Sequence, residues 1–395
     1  MFSSRVPREL AANRLTIAVA AQRAAGCRPP IDLTASNPTQ AGFDYPHDLL
    51  APLADPRALA YAPAPFGMRS AREAVARDYA RHGLEVPPDR IVLTASTSDA
   101  YSMLFKLLAD AGDEVLVPRP SYPLFDPLTR LDLVTPRPYD LDIHGGWAID
   151  VGSVERAITP RTRALLIVSP NNPTGSFVTA GELDRLAAIC APRGIAIVAD
   201  EVFADYELRA GARSSAGRAA AREDVLSFSL GGLSKSIGLP QAKLGWIAVS
   251  GPAALARAAL ERLEHVCDAY LAVSTPVQVA APSLLERGAA IRDQIAQRVA
   301  VNYATLAAGR DAAPACGVLP ADGGWYAVVQ VPSLEPEEDL VLRLLATDEV
   351  LVHPGYFFDF PRESFLVVSL LPPPAAFADG IARVLRHFDC TARRP

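Results

Sequence analysis

The chain has 395 residues, half of them apolar and 21% charged, which is typical of globular proteins and excludes a disordered chain. Its length favours two domains, because a single hydrophobic core rarely grows beyond about 300 residues. The net charge of −6 argues against nucleic acid and acidic membranes as partners. Five scattered cysteines without metal-binding spacing predict reduced thiols, no metal site and a cytoplasmic protein, and no apolar run approaches the roughly 18 residues of a membrane span.

The first 90 residues predict two helices and one short strand. Apolar periodicity and flanking Gly and Pro residues place the helices over 9–25 and 69–82, and the strand over 31–34. A Ser-Asn-Pro-Thr string at 36–39 predicts a turn directly after the strand.

From residue 90 onwards, short apolar runs alternate with helical patterns such as 99–109, 179–190 and 252–268. Buried strands separated by helices indicate a mostly parallel sheet that is covered on both faces. The runs that predict its strands are 91–94, 114–117, 164–169, 195–199, 225–229 and 244–249.

The pattern changes after residue 276. A long helix over 283–308 is followed by strands at 325–331 and 364–370 and helices at 336–347 and 375–388, which predicts a smaller α+β unit. We therefore expect a large domain over 49–280 and a small domain over 281–395, with an N-terminal segment, 1–48, joining the small domain.

Lysine is scarce in this chain. Of 38 basic residues, only Lys106, Lys235 and Lys243 are lysines. Two of them lie eight residues apart in a glycine-rich loop that begins at 231 and follows a predicted strand. A partly desolvated lysine near a second cation can lose its proton and act as a nucleophile, although a solvent-exposed loop lysine is the common alternative.

Two further loops carry hydroxyl and aromatic side chains at the C-terminal ends of strands, where α/β sheets bind ligands. Ser96, Thr97 and Ser98 begin a predicted helix, whose free N–H groups suit a phosphate. Tyr122 stands beside two prolines and is suited to stacking on a flat ring. Each has a structural explanation as well, with Ser98 as a helix N-cap and Tyr122 as a half-buried turn residue.

Two more loops present an amide and a carboxylate at strand ends. Asn172 belongs to an Asn-Asn-Pro-Thr-Gly string, which either points amides above the sheet or forms an Asx turn. Asp200 directly follows an apolar strand, and a buried anion there requires a cationic partner such as a protonated ring nitrogen.

Together and in this order, these loops resemble the class I/II aminotransferases, which are pyridoxal 5′-phosphate enzymes of fold type I. The resemblance rests on Asn-Asn-Pro-Thr-Gly at 171–175, Asp-Glu-Val-Phe at 200–203 and Leu-Ser-Lys at 233–235, and it spans nearly the whole chain. It implies an α/β fold with a large domain, built on a mostly parallel and doubly covered sheet, and a smaller α+β domain. It also implies amino-group transfer between an amino acid and a 2-oxo acid, as part of amino acid metabolism.

The resemblance assigns cofactor roles to residues of this chain. Lys235 is expected to form a Schiff base with pyridoxal 5′-phosphate and then to move the substrate proton. Asp200 pairs with the pyridinium nitrogen, Asn172 donates to the phenolic oxygen, and Tyr122 stacks on the ring. Ser96, Thr97 and Ser98 hold the phosphate.

Further assignments concern the subunit interface and departures from the family pattern. Tyr61 matches a tyrosine that reaches the phosphate of the other subunit, which implies a homodimer with shared active sites. Phe203 stands where a tyrosine usually contacts the phenolic oxygen. Lys243 replaces a phosphate-binding arginine and keeps the charge without the bidentate fork. Gly232 replaces a phosphate-binding serine.

The largest departure from the family pattern concerns the residues that bind the substrate. Many family members clamp the substrate carboxylate with an arginine in the strand before the last helix, where this chain has Leu366 or Val367. Arg362, a few residues upstream, is the candidate substitute, and Asn37 and Asn172 are the other expected substrate contacts.

Other functions remain open at this stage. A pyridoxal 5′-phosphate lyase or another biosynthetic enzyme with this cofactor fits the same scaffold, and the missing arginine favours it. A ligand-sensing domain of a transcription regulator requires an N-terminal DNA-binding module, for which there is room for one helix only. A nicotinamide enzyme is disfavoured, because no GxGxxG follows an early strand.

Overall fold

The first elements of the chain are two helices and a short strand. The computed structural model describes residues 1–8, 10–309 and 313–392. Helix α1 (Arg14–Ala24) is followed by strand β1 (Ile31–Asp32) and helix α2 (Arg69–Ala80). Asn13 caps α1 by accepting the N–H of Thr16, so the helix begins later than the predicted residue 9.

A mixed eight-stranded sheet forms the centre of the molecule. Its middle strands run parallel in the order β4-β3-β6-β7-β8, and antiparallel strands β5 and β9 flank them, with β2 outside β9. The strands are β2 (Ile91–Thr94), β3 (Glu114–Arg119), β4 (Thr135–Ile143), β5 (Trp147–Ile149), β6 (Thr162–Val168), β7 (Ala196–Asp200), β8 (Ser227–Gly232) and β9 (Gly245–Ser250).

Helices cover both faces of this sheet, as the apolar strands require. They are α3 (Thr97–Leu108), α4 (Phe125–Leu131), α5 (Val151–Ala157), α6 (Ala180–Cys190), the short α7 (Leu233–Ser236) and α8 (Ala253–Tyr270). Alternate residues of the strands feed the two cores: Val198 packs with α3 and α8, whereas Ile197 packs with α5 and α6. The predicted mostly parallel, doubly covered sheet is confirmed.

The sequence prediction missed the hairpin of β4 and β5. It also merged two helices into one, because α9 (Thr275–Arg287) and α10 (Ala289–Gly309) are separated at Gly288. A Cβ on Gly288 would lie 2.6 Å from the Leu284 carbonyl oxygen and 2.7 Å from Ile237, so only glycine allows this close approach to the segment after Lys235.

A four-stranded antiparallel sheet follows α10. Its strands are β10 (Gly317–Val318), β11 (Tyr326–Gln330), β13 (His353–Pro354) and β14 (Phe365–Ser369). Helix α11 (Glu337–Thr347) and strand β12 (Val350–Leu351) lie between β11 and β13 in the chain, and helix α12 (Pro374–Ala392) follows β14. β12 instead pairs in parallel with β1, and Ser369 donates to the Leu33 carbonyl. These contacts tie the N-terminal segment to the last third of the chain, while the domain bounds stay a prediction.

Two absences hold within the described residues. There, no helix has the length and apolarity to cross a membrane. The same part of the chain contains no group of three or more His, Cys, Asp or Glu side chains that could hold a metal ion.

Candidate active site

A cavity of about 310 Å³ lies where the C-terminal edge of the large sheet meets the four-stranded sheet. The large sheet contributes Asn172 from the loop after β6, Asp200 from the end of β7 and Lys235 from α7. The start of α3 adds Thr97 and Ser98. Loops that are far apart in sequence therefore meet here because the ends of parallel strands share one edge.

The opposite wall of the cavity is largely aromatic. It contains Tyr326 at the start of β11, His353 in β13, and Phe357 and Phe358 from the turn that follows. Ser36, from the N-terminal segment, lies beside Tyr326 and shares a side-chain hydrogen bond with it. We call these five residues the aromatic wall.

Lys235 is held in an apolar setting at the base of the cavity. Its Nζ lies 4.9 Å from the ring centroid of Trp325 and 5.5 Å from that of Phe203. The Tyr206 hydroxyl donates to the Lys235 backbone carbonyl and fixes the short helix. Burial lowers the pKa of Lys235 to about 8, against the opposing charge of Asp200, so a useful fraction of the amine is unprotonated near neutral pH.

Asp200 faces the same cavity from the end of β7. Its Oδ2 accepts from the Tyr101 hydroxyl at 3.2 Å, and its Oδ1 accepts from the Val202 N–H at 3.1 Å. Burial raises the pKa of Asp200 to about 6, although both hydrogen bonds and Lys235 favour the ionised form. The carboxylate is therefore an anion short of positive charge, which a cationic ligand would supply.

The neighbouring carboxylate, Glu201, has its own partner. Arg218 approaches it to 2.8 Å, both side chains are buried, and the Ala219 N–H donates to Glu201 at 3.2 Å. Removing one member of such a pair typically destabilises a protein by about 3–5 kcal/mol, because the other charge stays buried alone. The arrangement leaves Asp200 as the carboxylate that faces the cavity.

The start of α3 has the geometry of an anion site. Ser96 is the N-cap, with its side chain accepting the Asp99 N–H at 3.1 Å, so the alternative of Ser98 as the cap is wrong. Ser98 instead lies in the first turn and lines the cavity with Thr97. The first N–H groups of a helix have no partner within it, and the helix dipole favours negative charge there.

Glycine allows the lysine loop to approach this helix start. A Cβ on Gly245 would lie 3.0 Å from the Ser96 carbonyl carbon and from Thr94 Oγ1. Gly245 therefore packs against the residues at the start of α3.

Asn172 supplies an amide to the cavity. It is buried in a loop that Asn171 stabilises, since the Asn171 side chain accepts from the Thr174 hydroxyl at 3.0 Å. Within the described chain, Asn172 Oδ1 is buried without a hydrogen-bond partner. An unpaired buried amide that lines a cavity favours a ligand that completes its hydrogen bonds.

Comparisons with known proteins decide the family. The profile described as "Aminotransferase class I and II" matches residues 29–374. The chain belongs to this family. It is similar to the alanine aminotransferase of Mycobacterium tuberculosis, with 30% identity over 377 residues that cover 90% of this chain and 84% of that protein. It is also similar to the glutamate-pyruvate aminotransferase AlaA of Escherichia coli, with 27% identity over 86% of each chain.

Solved structures confirm the fold. The alanine aminotransferase from Pyrococcus furiosus superposes with a TM-score of 0.86 at 23% identity, and the match covers 98% of this chain and all of that one. An aminotransferase from Escherichia coli gives a TM-score of 0.85 at 24% identity over 98% of each chain. The enzyme is a pyridoxal 5′-phosphate-dependent aminotransferase, as the sequence motifs predict.

The residues present fit this cofactor. The anion-binding helix start at Ser96–Ser98 suits the phosphate, and the Asp200 carboxylate suits a protonated ring nitrogen. The Asn172 side chain lines the cavity and its NH₂ group can donate to the phenolic oxygen of the ring, while the Lys235 amine suits the aldehyde. Tyr122 and Phe203 also line the cavity, and their roles in cofactor binding stay predictions.

Five predicted site residues do not line the cavity, and one of them is Ser96, the N-cap of α3. Asn37 is exposed and its side chain accepts from Thr39, while its neighbour Ser36 lines the cavity. Arg362 is exposed, and its guanidinium lies 5.5 Å from the Phe365 ring. The structure thus brings neither Asn37 nor Arg362 to the cavity.

Lys243 and Tyr61 are the other two. Lys243 is exposed in a left-handed conformation (φ 53°) at the start of its Lys-Leu-Gly-Trp string, and it does not line the cavity. Tyr61 is 74% exposed and borders a separate surface depression together with Leu271. Both positions stay predictions for cofactor binding.

Sequence reasoning missed Tyr101, Ser234 and most of the aromatic wall. Tyr101 lies four residues after Thr97, one helical turn along α3, so helical spacing from the phosphate loop was a usable signal. Ser234 directly precedes Lys235. Tyr326, His353, Phe357 and Phe358 carried no local motif.

Proposed function

We propose that this aminotransferase takes a small amino acid, with alanine as the first candidate, and transfers its amino group to a 2-oxo acid. The cavity carries this proposal: at about 310 Å³ it is near the lower end of the roughly 300–1,000 Å³ of ligand sites, and it has to hold the cofactor as well. The names of the relatives, alanine aminotransferase and glutamate-pyruvate aminotransferase, support the same substrate class.

Lys235 and Asp200 carry the chemistry in this proposal. Pyridoxal 5′-phosphate supplies an electron sink that weakens the bond between the substrate α-carbon and its proton. Lys235 would hold the cofactor through its amine. As a free amine in the same place, it would accept the substrate α-proton and return it. Asp200 keeps a negative charge facing the ring nitrogen, and Tyr101 holds that carboxylate in place.

The remaining residues bind and orient. Ser96, Thr97 and Ser98 receive the phosphate at the start of α3, with Lys243 adding charge nearby. Tyr122 and Phe203 border the ring. Asn172 donates to the oxygen on the ring and contacts the substrate.

We also propose a homodimer with shared active sites. Four apolar side chains are exposed near the depression beside Tyr61, namely Leu59, Tyr61, Tyr270 and Leu271, with exposed fractions of 90%, 74%, 57% and 38%. Exposed apolar patches of this kind commonly mark protein interfaces. Mixing Lys235→Ala and Tyr61→Ala subunits tests sharing, because mixed dimers then keep one intact site and regain activity that neither parent has.

The cysteines support a cytoplasmic location. Cys27, Cys190, Cys267 and Cys316 are all free thiols, as is usual for proteins of a reducing compartment. Labelling of fractionated cells with an antibody to the protein tests this location.

A single-turnover experiment tests the reaction. Holoenzyme mixed with L-alanine and no oxo acid should release one pyruvate per active site, convert the cofactor to its amino form and release no ammonia. Absence of pyruvate contradicts transamination of alanine, and continued release of pyruvate with ammonia from L-serine, which can lose its β-hydroxyl group as water, supports a lyase.

A further inference from the structure

The substrates of an aminotransferase bring a carboxylate into the cavity, and this carboxylate needs a partner. Within the described residues that line the cavity, the side chains that carry or can gain positive charge are Lys235 and His353. Leu366 and Val367 are fully buried and do not line it. Because Lys235 is committed to the cofactor, His353 is the basic group left for the substrate.

Two of the other hydroxyl groups that line the cavity have partners. Tyr101 donates to Asp200, and Tyr326 shares its hydrogen bond with Ser36. Thr97 and Ser98 lie at the anion site at the start of α3. His353 combines a basic ring with a free hydrogen-bonding position, because its Nδ1 is buried without a hydrogen-bond partner in the described chain.

The surroundings of His353 fix the ring and keep it neutral. Its centroid lies 5.9 Å from the ring of Phe357 and 5.8 Å from that of Phe358, both in the aromatic wall. Burial lowers the pKa of His353, and Asp32 opposes this effect. A neutral imidazole carries one N–H, and with Nδ1 covered, Nε2 is the ring nitrogen available to a ligand.

The strand pairing places this imidazole beside the position of the missing arginine. His353 pairs directly with Val367, and Pro354 pairs with Leu366, in the antiparallel ladder of β13 and β14. Directly opposed residues of such a ladder point to the same face of the sheet. The imidazole therefore occupies the space next to the strand position where many relatives carry a guanidinium.

We propose that His353 binds the carboxylate of the amino acid substrate through an Nε2–H···O hydrogen bond. This inference rests on the proposed function, since it names the group that holds the same substrate. A hydrogen bond to a carboxylate is charge-assisted and strengthens in an apolar setting such as the aromatic wall. The same wall limits the substrate to a small side chain.

Two fragments of alanine separate this role from general damage to the site. Propionate keeps the carboxylate and lacks the amine, whereas ethylamine keeps the amine and lacks the carboxylate. Binding of each to the holoenzyme is measured by calorimetry. In His353→Leu we expect the dissociation constant of propionate to rise roughly 10- to 100-fold, the usual worth of a hydrogen bond to a charged group, with ethylamine binding unchanged.

Two more variants complete the test. His353→Gln keeps an N–H donor and should bind propionate with intermediate strength, and it serves if His353→Leu does not fold. His265→Gln, at an exposed histidine of α8, should match the unmodified enzyme. Unchanged propionate binding in His353→Leu and His353→Gln, or equal weakening of both fragments, overturns the proposal. The proposed function stands apart from this result, because the single turnover with alanine tests it in the unmodified enzyme.

Discussion

The two sides of the cavity are built in different ways. The side that belongs to the large sheet consists of short sequence strings, each at the end of one strand, and its polar groups face a cofactor. The aromatic wall is assembled from β11, β13 and the N-terminal segment, and its members are as far apart in sequence as Ser36 and Phe358. The comparison teaches that the cofactor side can be recognised from short sequence motifs, whereas the residues on the substrate side come together only through contacts between distant parts of the chain.

Each side of the cavity also has a buried carboxylate that does not line it. On the side of the large sheet, Glu201 pairs with the Arg218 guanidinium. Behind the aromatic wall, Glu337 accepts three backbone N–H groups, from Tyr356 at 2.9 Å, Ser364 at 2.7 Å and Phe365 at 2.8 Å. The first carboxylate is neutralised by an ion pair, whereas the second organises the turn that presents Phe357 and Phe358. Changes on the two sides should therefore have separable effects.

The largest effect is expected at Asp200. Asp200→Asn keeps the shape and removes the charge, so turnover should fall by roughly 10²- to 10³-fold, as for other preorganised electrostatic groups. Folding raises the pKa of Asp200 from 3.8 to about 6, which costs the cofactor-free protein at most about 3 kcal/mol above pH 6. The variant without cofactor should accordingly be more stable than the unmodified protein at pH 8, measured by urea unfolding.

The Asp200 variant has a matched control. Asp339→Asn, at a half-exposed carboxylate that pairs with Arg14, should change neither turnover nor stability noticeably. A loss of both turnover and stability in Asp200→Asn would show that the carboxylate is structural and would break the assignment.

A smaller effect is expected at Tyr101, which supports Asp200. Tyr101→Phe removes the hydroxyl that donates to the carboxylate, so the pKa of Asp200 should rise above about 6. The ionised form is lost as the pH falls through this pKa. Cofactor binding should therefore weaken by about 10-fold near pH 6 and much less at pH 8. Fluorescence titration of the apo-enzyme with the cofactor across this pH range measures the shift, and a pH-independent loss contradicts it.

The smallest effect is expected at Glu337. Glu337→Gln replaces one accepting oxygen by an NH₂ group, which leaves a backbone N–H unpaired at a cost of about 1–3 kcal/mol. Because this change lies behind the aromatic wall, KM for the amino donor should rise while the cofactor dissociation constant stays constant. A change in cofactor affinity of the same size would contradict the separation of the two sides.

The sequence predicted the cofactor side because its residues follow apolar strands. Asp200 ends such a strand, and Asn172 and Lys235 lie within a few residues of the ends of β6 and β8, so strand position and side-chain chemistry were visible together. Their convergence on one cavity needed only the rule that parallel strands share an edge. Asn37 and Arg362 were assigned from the family resemblance alone, and the structure places them on the surface.

The features that the sequence did not predict have physical explanations. β4 contains Pro136 and Pro138, which suppress a strand prediction, yet it continues the sheet beyond β3. α9 contains Pro282 in its interior, so its pattern was joined to the next helix. His353 sits in a strand of two residues whose position depends on pairing with β14. No local pattern reports such a contact.

The most direct measurement concerns the central claim, that Lys235 carries the cofactor. Borohydride reduction of the holoenzyme, followed by peptide mass analysis, should place the cofactor's mass on Lys235 alone, in a chain that offers only two other lysines. Lys235→Arg should remove the label and turnover together, and Lys106→Arg should keep both. A label on Lys106 or Lys243, or full turnover in Lys235→Arg, would contradict the account.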